Sequence, residues 1–456
     1  MKLELVATAT FGLEAVVRRE IEALGYKVIK TEDGRVTYMG DERALVRSNL
    51  WLRSADRVYI RMGKFKATEF EELFQQTKAL DWESIIPIDG VFPVVGGSVK
   101  SALHSVPACQ KIIKKAVSVR LSEFYCLDTL PETGAEYRIR FIAHKDNFLL
   151  LIDTSGAGLH KRGYRVRDVA APMKETLAAA LVQLSFYRKD RVLVDPCCGS
   201  GTIPIEAAMI ARNIAPGLSR SFAAESWDIF DGGAGSAATN NNKREKAASN
   251  ATARTQSSAF DGHLSGGSTG QNKSEDRSAL NSEARRSPTK NTAASDAPLS
   301  IWKEERRLAF EAIDGEASLY ITAIDIDARA VKAAKENSEE AGLVDDIDVV
   351  KMDMTRWEPG GGIPKGAGKD DHVVVISNLP YGKRIGEDEG IKAIYAHIKE
   401  IMEECPNWSF FLITSDKMLE KELGRTADRR RKLYNGTIET QFYQFHGAKP
   451  ARKDKK

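Results

Sequence analysis

Hydrophobic and polar positions divide the chain into stretches of three kinds. Residues 1 to 160 mix short alternating runs with helical ones. The opening MKLELVATATFGLEAVVRREIEAL alternates through Leu3, Glu4 and Leu5, then turns at Gly12 into an amphipathic stripe. The apolar runs YRIRFIAHK and FLLLIDTS, split by Asp146-Asn147, predict a β-hairpin. This is an α+β pattern. From residue 161 onward the text changes. RVLVDP, YITAIDID, DVVKMD, HVVVISNLP and WSFFLIT are apolar, β-branched runs, with helical segments between them. Such alternation predicts an α/β domain, a parallel sheet with helices on both faces.

Residues 232–300 belong to neither kind. Gly, Ser, Ala, Asn and Thr dominate, and Phe260 is the single aromatic residue of the segment. It cannot bury enough apolar surface to offset the entropy of ordering it, so a disordered insertion is expected. The predicted organisation is an α+β region at 1–160, an α/β domain built from 161–231 and 301–448, the insertion between them, and a basic tail at 449–456.

At 456 residues the chain exceeds one ordinary core, and 42% hydrophobic with 29% charged residues is a globular composition. No run of 18 apolar residues occurs, so no membrane partner is expected. The N-terminus lacks the apolar core of a signal peptide. Five cysteines without a CxxC pair suit a reducing, cytoplasmic setting rather than a disulfide scaffold or a zinc ribbon. The seven histidines show no ligand spacing, so no metal is expected. The net charge of +3 conceals a bipolar chain: residues 301–416 carry −10, residues 417–456 carry +7, and residues 1–165 carry +4. Basic ends could meet a polyanion. Lys100 belongs to an acid-free stretch, and Lys111, Lys114 and Lys115 share one face of a predicted helix. A second patch is Lys161, Arg162, Arg165 and Arg167, and a third is Arg429 to Lys432, placed near the active-site end. Such patches suit phosphate contacts with little base reading.

The strongest local signal is RVLVDPCCGSGT, a strand entering a glycine-rich turn and then a helix. A phosphate-binding P-loop would need a lysine that is missing, and a dinucleotide turn would need a third glycine where Pro204 stands. A DxxxGxGT turn instead suits S-adenosylmethionine. Asp195 would hold its amino end, with Cys198, Gly199, Ser200, Gly201 and Thr202 along the turn. The next strand ends in Asp325-Ile326-Asp327. A carboxylate there can accept both ribose hydroxyls, which makes Asp325 the ribose ligand and leaves Asp327 as a helix N-cap. Asp353, next to Met354, could accept from an adenine amino group. Ile326 and Met354 are counted with these acids as cofactor-binding.

The fourth strand ends in Ser377-Asn378-Leu379-Pro380-Tyr381. An exocyclic amine on a base is a poor nucleophile, because its lone pair is delocalised into the ring. The Asn378 side-chain oxygen and the Leu379 carbonyl can accept its two N–H bonds and return density to nitrogen. Pro380 stiffens the turn, and Tyr381 offers a face for a flipped base.

DPCCGSGT, AIDID and NLPYG, in this order, resemble a Rossmann-like class I amino-group methyltransferase. SVKSALHSVPACQKIIKKAV resembles a THUMP domain, LHKRGYRVRDVAAPMKETLAAALV resembles the entry segment of THUMP-linked RNA methyltransferases, and RKLYNGTIETQFYQF resembles their closing strand pair. Together these blocks resemble the bacterial 23S rRNA guanine-N2 methyltransferase family, in its L-type half. The resemblance implies a ferredoxin-like and THUMP region before the catalytic domain, S-adenosylmethionine as cofactor, and methylation of guanine N2 in large-subunit rRNA. One departure is Leu379, where the family usually has proline. Asn-Leu-Pro also resembles THUMP-linked tRNA guanine-N2 methyltransferases, so tRNA stays open as substrate. A non-catalytic RNA-binding assembly factor is the remaining alternative.

Overall fold

The computed structural model describes residues 1–167, 173–230, 300–363, 367–380 and 388–449. Tyr381, the insertion up to residue 299, and the tail beyond residue 449 lie outside the described residues.

Seven N-terminal strands form one sheet: β1 (Leu3–Ala9), β2 (Val28–Glu32), β3 (Arg35–Gly40), β4 (Ala55–Lys66), β5 (Val94–Val99), β6 (Ile139–His144) and β7 (Asn147–Asp153). Their order is β2-β3-β1-β4-β7-β6-β5. The long strand β4 joins the two halves, pairing with β1 through Val58 and with β7 through Phe65. The predicted hairpin forms one residue earlier than expected. His144 pairs with Asn147, so the turn residues are Lys145 and Asp146. Both have positive φ, which the tight hairpin turn demands and Asp tolerates better than most residues.

Helices α1 (Glu14–Ala23), α2 (Glu42–Trp51), α3 (Phe70–Lys78) and α4 (Val106–Tyr125) pack with this sheet. In α4, Pro107 suits the first turn, and Cys109, Ile113, Ala116, Val117, Leu121 and Tyr125 recur at helical spacing on the buried face.

The second sheet has the order β10-β9-β8-β11-β12-β14-β13. Its five parallel strands are β8 (Leu193–Asp195), β9 (Ile321–Asp325), β10 (Ile347–Lys351), β11 (Val374–Asn378) and β12 (Ser409–Thr414). The closing hairpin β13 (Arg429–Asn435) and β14 (Ile438–Phe445) adds antiparallel to β12. The helices of this domain are α5 (Glu175–Leu184), α6 (Thr202–Ala211), α7 (Ile301–Glu311), α8 (Ala328–Glu340), α9 (Asp388–Glu404) and α10 (Leu419–Leu423). One apolar cluster gathers Ile376, Ile413 and Phe442 with α5 and α6, and another gathers Val375, Leu412 and Tyr443 with α9 and α10. Alternate residues of the same strands thus supply two cores, which is why these strands read as continuous apolar runs. Among the described residues no helix is long and apolar enough to cross a membrane.

The segments flanking the insertion pack against the N-terminal sheet. Phe222, Trp227, Phe230 and Trp302 sit in the apolar cluster of the first sheet. Trp227 stacks on Tyr137 at 4.6 Å and donates its indole N–H to the Glu136 carbonyl at 3.1 Å. Arg43 on α2 reaches Glu304 and Glu305 on α7, each at 2.6 Å. A second seam joins the start of α1 to the closing hairpin: Arg431 donates to the Gly12 carbonyl at 2.6 Å. Gly12 has φ +89, and a Cβ there would lie 2.8 Å from the Lys432 carbonyl oxygen, so glycine is required by both conformation and space.

Candidate active site

Strand β8 ends at Asp195, and the chain then turns through Pro196 to Gly201 before α6 begins. Gly199 and Gly201 have φ +55 and +80. A Cβ on Gly201 would meet the Ala334 Cβ of α8 at 3.0 Å, so this glycine brings the turn close to the neighbouring helix. The turn is tied to the next strand, since the Gly199 N–H donates to Asp325 Oδ2 at 2.9 Å. Asp325 Oδ1 accepts the Asp327 N–H at 2.9 Å, and Asp327 itself caps α8 by accepting the Arg329 N–H at 2.8 Å.

The carboxyl ends of β8, β9 and β11, with residues just past β10, enclose one cavity of about 590 Å³. Asp195, Cys198, Gly199, Ser200, Thr202, Asp325, Ile326, Asp353, Met354, Asn378 and Pro380 line it. Gly201 lies in the same turn with no lining atom, and Leu379 is fully buried in the apolar core behind it. Three carboxyl groups therefore face one space. Asp195 is 1% exposed, and burial pushes its pKa up to about 7 despite hydrogen bonds from Ser377 Oγ and the Cys197 amide. Burial raises Asp325 as well, against the amides of Asp327 and Gly199. Asp353 goes the other way, lowered first by the Thr355 backbone N–H and then by its hydroxyl. Ile326 is 64% exposed although apolar, a surface suited to one face of a planar ring.

Asn378 carries the clearest vacancy in hydrogen bonding. Its Oδ1 is buried and has no partner among the described residues. A buried acceptor left unpaired costs about 1–3 kcal/mol, so the site is arranged to receive a donor. The N–H of Leu379 is held by the Ile413 carbonyl at 3.1 Å, which fixes the backbone at the strand end.

The residues fit S-adenosylmethionine. A buried carboxyl suits an ammonium, a carboxylate at the second strand end suits a ribose diol, and an exposed isoleucine suits an adenine face.

The basic residues expected to meet RNA divide sharply. Lys100, Lys111, Lys115 and Lys161 are exposed. Lys114 is half-buried, paired with Glu132 at 2.5 Å and 3.6 Å above the Phe92 ring. Arg162 is a correction. It is 3% exposed, its Nε lies 3.2 Å from Glu206 Oε1, and its other donors reach the Leu159 and Arg53 carbonyls. It locks the two regions together and cannot reach a polyanion outside. Arg165 is also corrected: it donates to Glu175 at 2.7 Å and to Ser200 Oγ and Thr202 Oγ1 at 3.1 Å each, so it braces the glycine turn. Arg167 pairs with Glu336 at 2.6 Å. In the third patch, Arg430 pairs with Glu420 and Lys432 with Glu439.

Sequence reasoning missed Ser377, which orients Asp195, and Glu206, the partner of Arg162. Glu206 did leave a signal, as the lone acid in the otherwise apolar helix α6. Such a residue is seldom buried unless paired.

Comparison with known proteins adds the following. The family described as "RMKL-like, methyltransferase domain" matches residues 162–444. An RlmL ferredoxin-like domain matches residues 4–59, and a THUMP domain matches 67–153. The chain is 40% identical to "Putative RNA methyltransferase YpsC" of Bacillus subtilis (strain 168), covering 99% of this chain and 98% of that protein. It is 27% identical to "Ribosomal RNA large subunit methyltransferase K/L" of Cellvibrio japonicus (strain Ueda107) over 95% of this chain, and it spans only 50% of that longer protein. Among solved structures, "SMU.472, a putative methyltransferase complexed with SAH" is 35% identical with a TM-score of 0.77, covering 99% of both chains.

Proposed function

Because the chain belongs to the family of RMKL-like methyltransferase domains, we propose that it methylates the exocyclic N2 of a guanine in large-subunit ribosomal RNA. S-adenosylmethionine, the cofactor, supplies a methyl group on a sulfonium sulfur. Asp195 holds its amino end, Asp325 its ribose and Asp353 its adenine, with the turn from Cys198 to Thr202 against its backbone. Asn378 Oδ1 and the Leu379 carbonyl accept the two N–H bonds of the guanine amine and aim the nitrogen at the methyl carbon. Bound there, the cofactor would give up its methyl carbon to the aligned nitrogen and keep the C–S electron pair on sulfur, and the extra proton on nitrogen would pass to solvent. A strong base is not required, since the proton departs after transfer. Pro380 limits the turn's freedom.

The observation that carries this reading is the buried, unpaired Oδ1 of Asn378, a residue lining the same cavity as Asp195 and Asp325. Two acceptors, Asn378 Oδ1 and the Leu379 carbonyl, match the two N–H donors of an exocyclic amine, whereas a hydroxyl has one donor and a ring carbon none. The THUMP match and the exposed Lys100, Lys111 and Lys115 support RNA as the substrate class.

Tritium-labelled cofactor should pass to large-subunit rRNA and leave tRNA and DNA unlabelled; label on tRNA alone would assign the tRNA alternative. Asn378→Ala should lose transfer while calorimetry still detects cofactor binding. Undiminished turnover in that variant would sink the mechanism, and failure of the wild-type chain to bind the cofactor would favour a non-catalytic RNA-binding factor.

A further inference from the structure

We propose that a groove between α1 and the edge strand β13 binds a segment of the RNA, with Arg19 and Arg429 on its phosphates and Phe186 under one base. The proposal rests on RNA being the substrate, and it concerns a site separate from the catalytic cavity.

The groove holds about 820 Å³, and Arg18, Arg19, Arg429, Arg430 and Arg431 line it together with Phe186 and His446. These arginines come from opposite ends of the chain and meet at the seam where Arg431 donates to the Gly12 carbonyl. Their pairing is uneven. Arg18 is satisfied by Glu22 at 2.8 Å, and Arg430 by Glu420 at 3.0 Å. Among the described residues neither Arg19 nor Arg429 has a carboxylate partner; Arg19 donates only to the Ala15 carbonyl, at 3.3 Å. Burial and the charges of Arg19 and Arg429 together push the Arg431 guanidinium below its usual range. Three like charges held within reach of one another repel, and an anion between them would relieve that repulsion.

The aromatic part points to a nucleic acid rather than a lone anion. Phe186 is 43% exposed; its ring is tilted by 54° against His446, with centroids 4.7 Å apart, and perpendicular to Phe411 at 5.5 Å. His446 Nε2 is buried without a partner among the described residues. A half-exposed ring packed on two others beside unpaired guanidinium groups is the combination that binds single-stranded nucleic acid, by stacking and backbone charge together.

The groove is placed to serve the active site without belonging to it. Arg431 pairs with Phe442, Phe442 with Ile413, and Ile413 with Asn378, so all four are level across the sheet. Three strand spacings put Arg431 about 14 Å to the side of Asn378. Arg429 lies two residues further from the carboxyl ends of the parallel strands. The patch expected near the active-site end therefore sits on the flank of the domain, where it can hold RNA that runs past the reacting guanine.

The test compares the full chain with the double variant R19Q/R429Q, and with F186L, for binding to rRNA fragments across a salt series. The double variant should bind at least tenfold more weakly at low salt, and its slope of log affinity against log salt should fall by about 1.4 to 1.8, two phosphate contacts. F186L should weaken binding about fivefold or more with the slope unchanged. Cofactor affinity measured by calorimetry should stay constant throughout, which separates this role from misfolding. Equal affinity and slope in R19Q/R429Q and wild type would overturn the groove while leaving the methyltransferase assignment standing. A wild-type chain that neither binds nor methylates RNA would overturn both.

Discussion

Ser377 Oγ donates a 2.7 Å hydrogen bond to Asp195 Oδ1, linking neighbouring strands β11 and β8 at the floor of the cavity. The serine stabilises a carboxylate that its surroundings otherwise disfavour. Burial wins, and the nearby Asp325 charge adds to it, so Asp195 titrates at about 7.

The first prediction follows from that titration. An unfolded aspartate loses its proton near pH 4, whereas folded, cofactor-free Asp195 keeps it to about pH 7. The native state binds the extra proton in that window, so stability falls as pH rises from about 4 to about 7. Asp195→Asn should therefore raise the Tm of the cofactor-free protein near pH 8 and leave it unchanged near pH 4. The ammonium of the cofactor needs the ionised carboxylate, so its calorimetric affinity should drop by up to about tenfold per unit below pH 7. A flat affinity between about pH 5.5 and 7 would remove Asp195 from that role.

Leu379 replaces the proline usual in the resembled family. Its side chain is fully buried against the α9 side of the sheet, and its proposed chemical contribution is a backbone carbonyl. Leu379→Met should cost less than about 1.5 kcal/mol and keep the turnover. Leu379→Ala should cost about 2–5 kcal/mol by denaturant titration, with the activity per folded molecule largely retained.

Arg162 and Glu206 form an ion pair with side chains 2% and 0% exposed. Arg162→Ala would leave Glu206 buried without its cation, and should cost about 3–5 kcal/mol of stability. The salt dependence of RNA binding should not change in the folded fraction, because Arg162 does not face solvent. A reduced salt slope would return it to the RNA surface.

On α4, Lys111 and Lys115 are exposed while Lys114 is held by Glu132 and Phe92. Lys111→Ala with Lys115→Ala should weaken RNA binding uniformly across sequences and lower the salt slope by roughly 0.7–0.9 per lysine. Lys114→Ala should lower it less. Equal slopes for all three would show that pairing in the free protein does not carry over to the complex.

Gly201 has φ +80 and stands 3.0 Å, at Cβ distance, from Ala334. Gly201→Ala should displace the turn that Arg165 braces and weaken cofactor binding by about tenfold or more, an effect of 1.4 kcal/mol or above. Calorimetry at one pH is sufficient to measure it.

Much of the cavity was legible because its parts are local. A strand end, a glycine turn and a helix start are set by neighbouring residues, and the ordered recurrence of acids after β8, β9 and β10 marks the sheet edge. The hairpin turn was placed one residue late because Asn147, a good turn former, is carried into β7 by cross-strand pairing with His144. The packing of the insertion's roots on the N-terminal sheet is not legible from their place in the sequence. Trp227 and Trp302 join the other core because their large rings find Tyr137 and Phe222 there.

The sequence by itself determined the succession of elements, the two fold classes and the residues at the ends of the parallel strands. Hydrophobic period and turn chemistry act over a few residues, and these features need nothing more. Only the tertiary structure decided which charges are available. Arg162 is silenced by a glutamate 44 residues away, and Arg431 is anchored by a carbonyl 419 residues away. Arg19 and Arg429, drawn from opposite ends of the chain, line one groove, and among the described residues neither has a carboxylate partner. Burial and pairing depend on what arrives from a distance, so the same arginine in sequence becomes a clasp in one place and a phosphate contact in another.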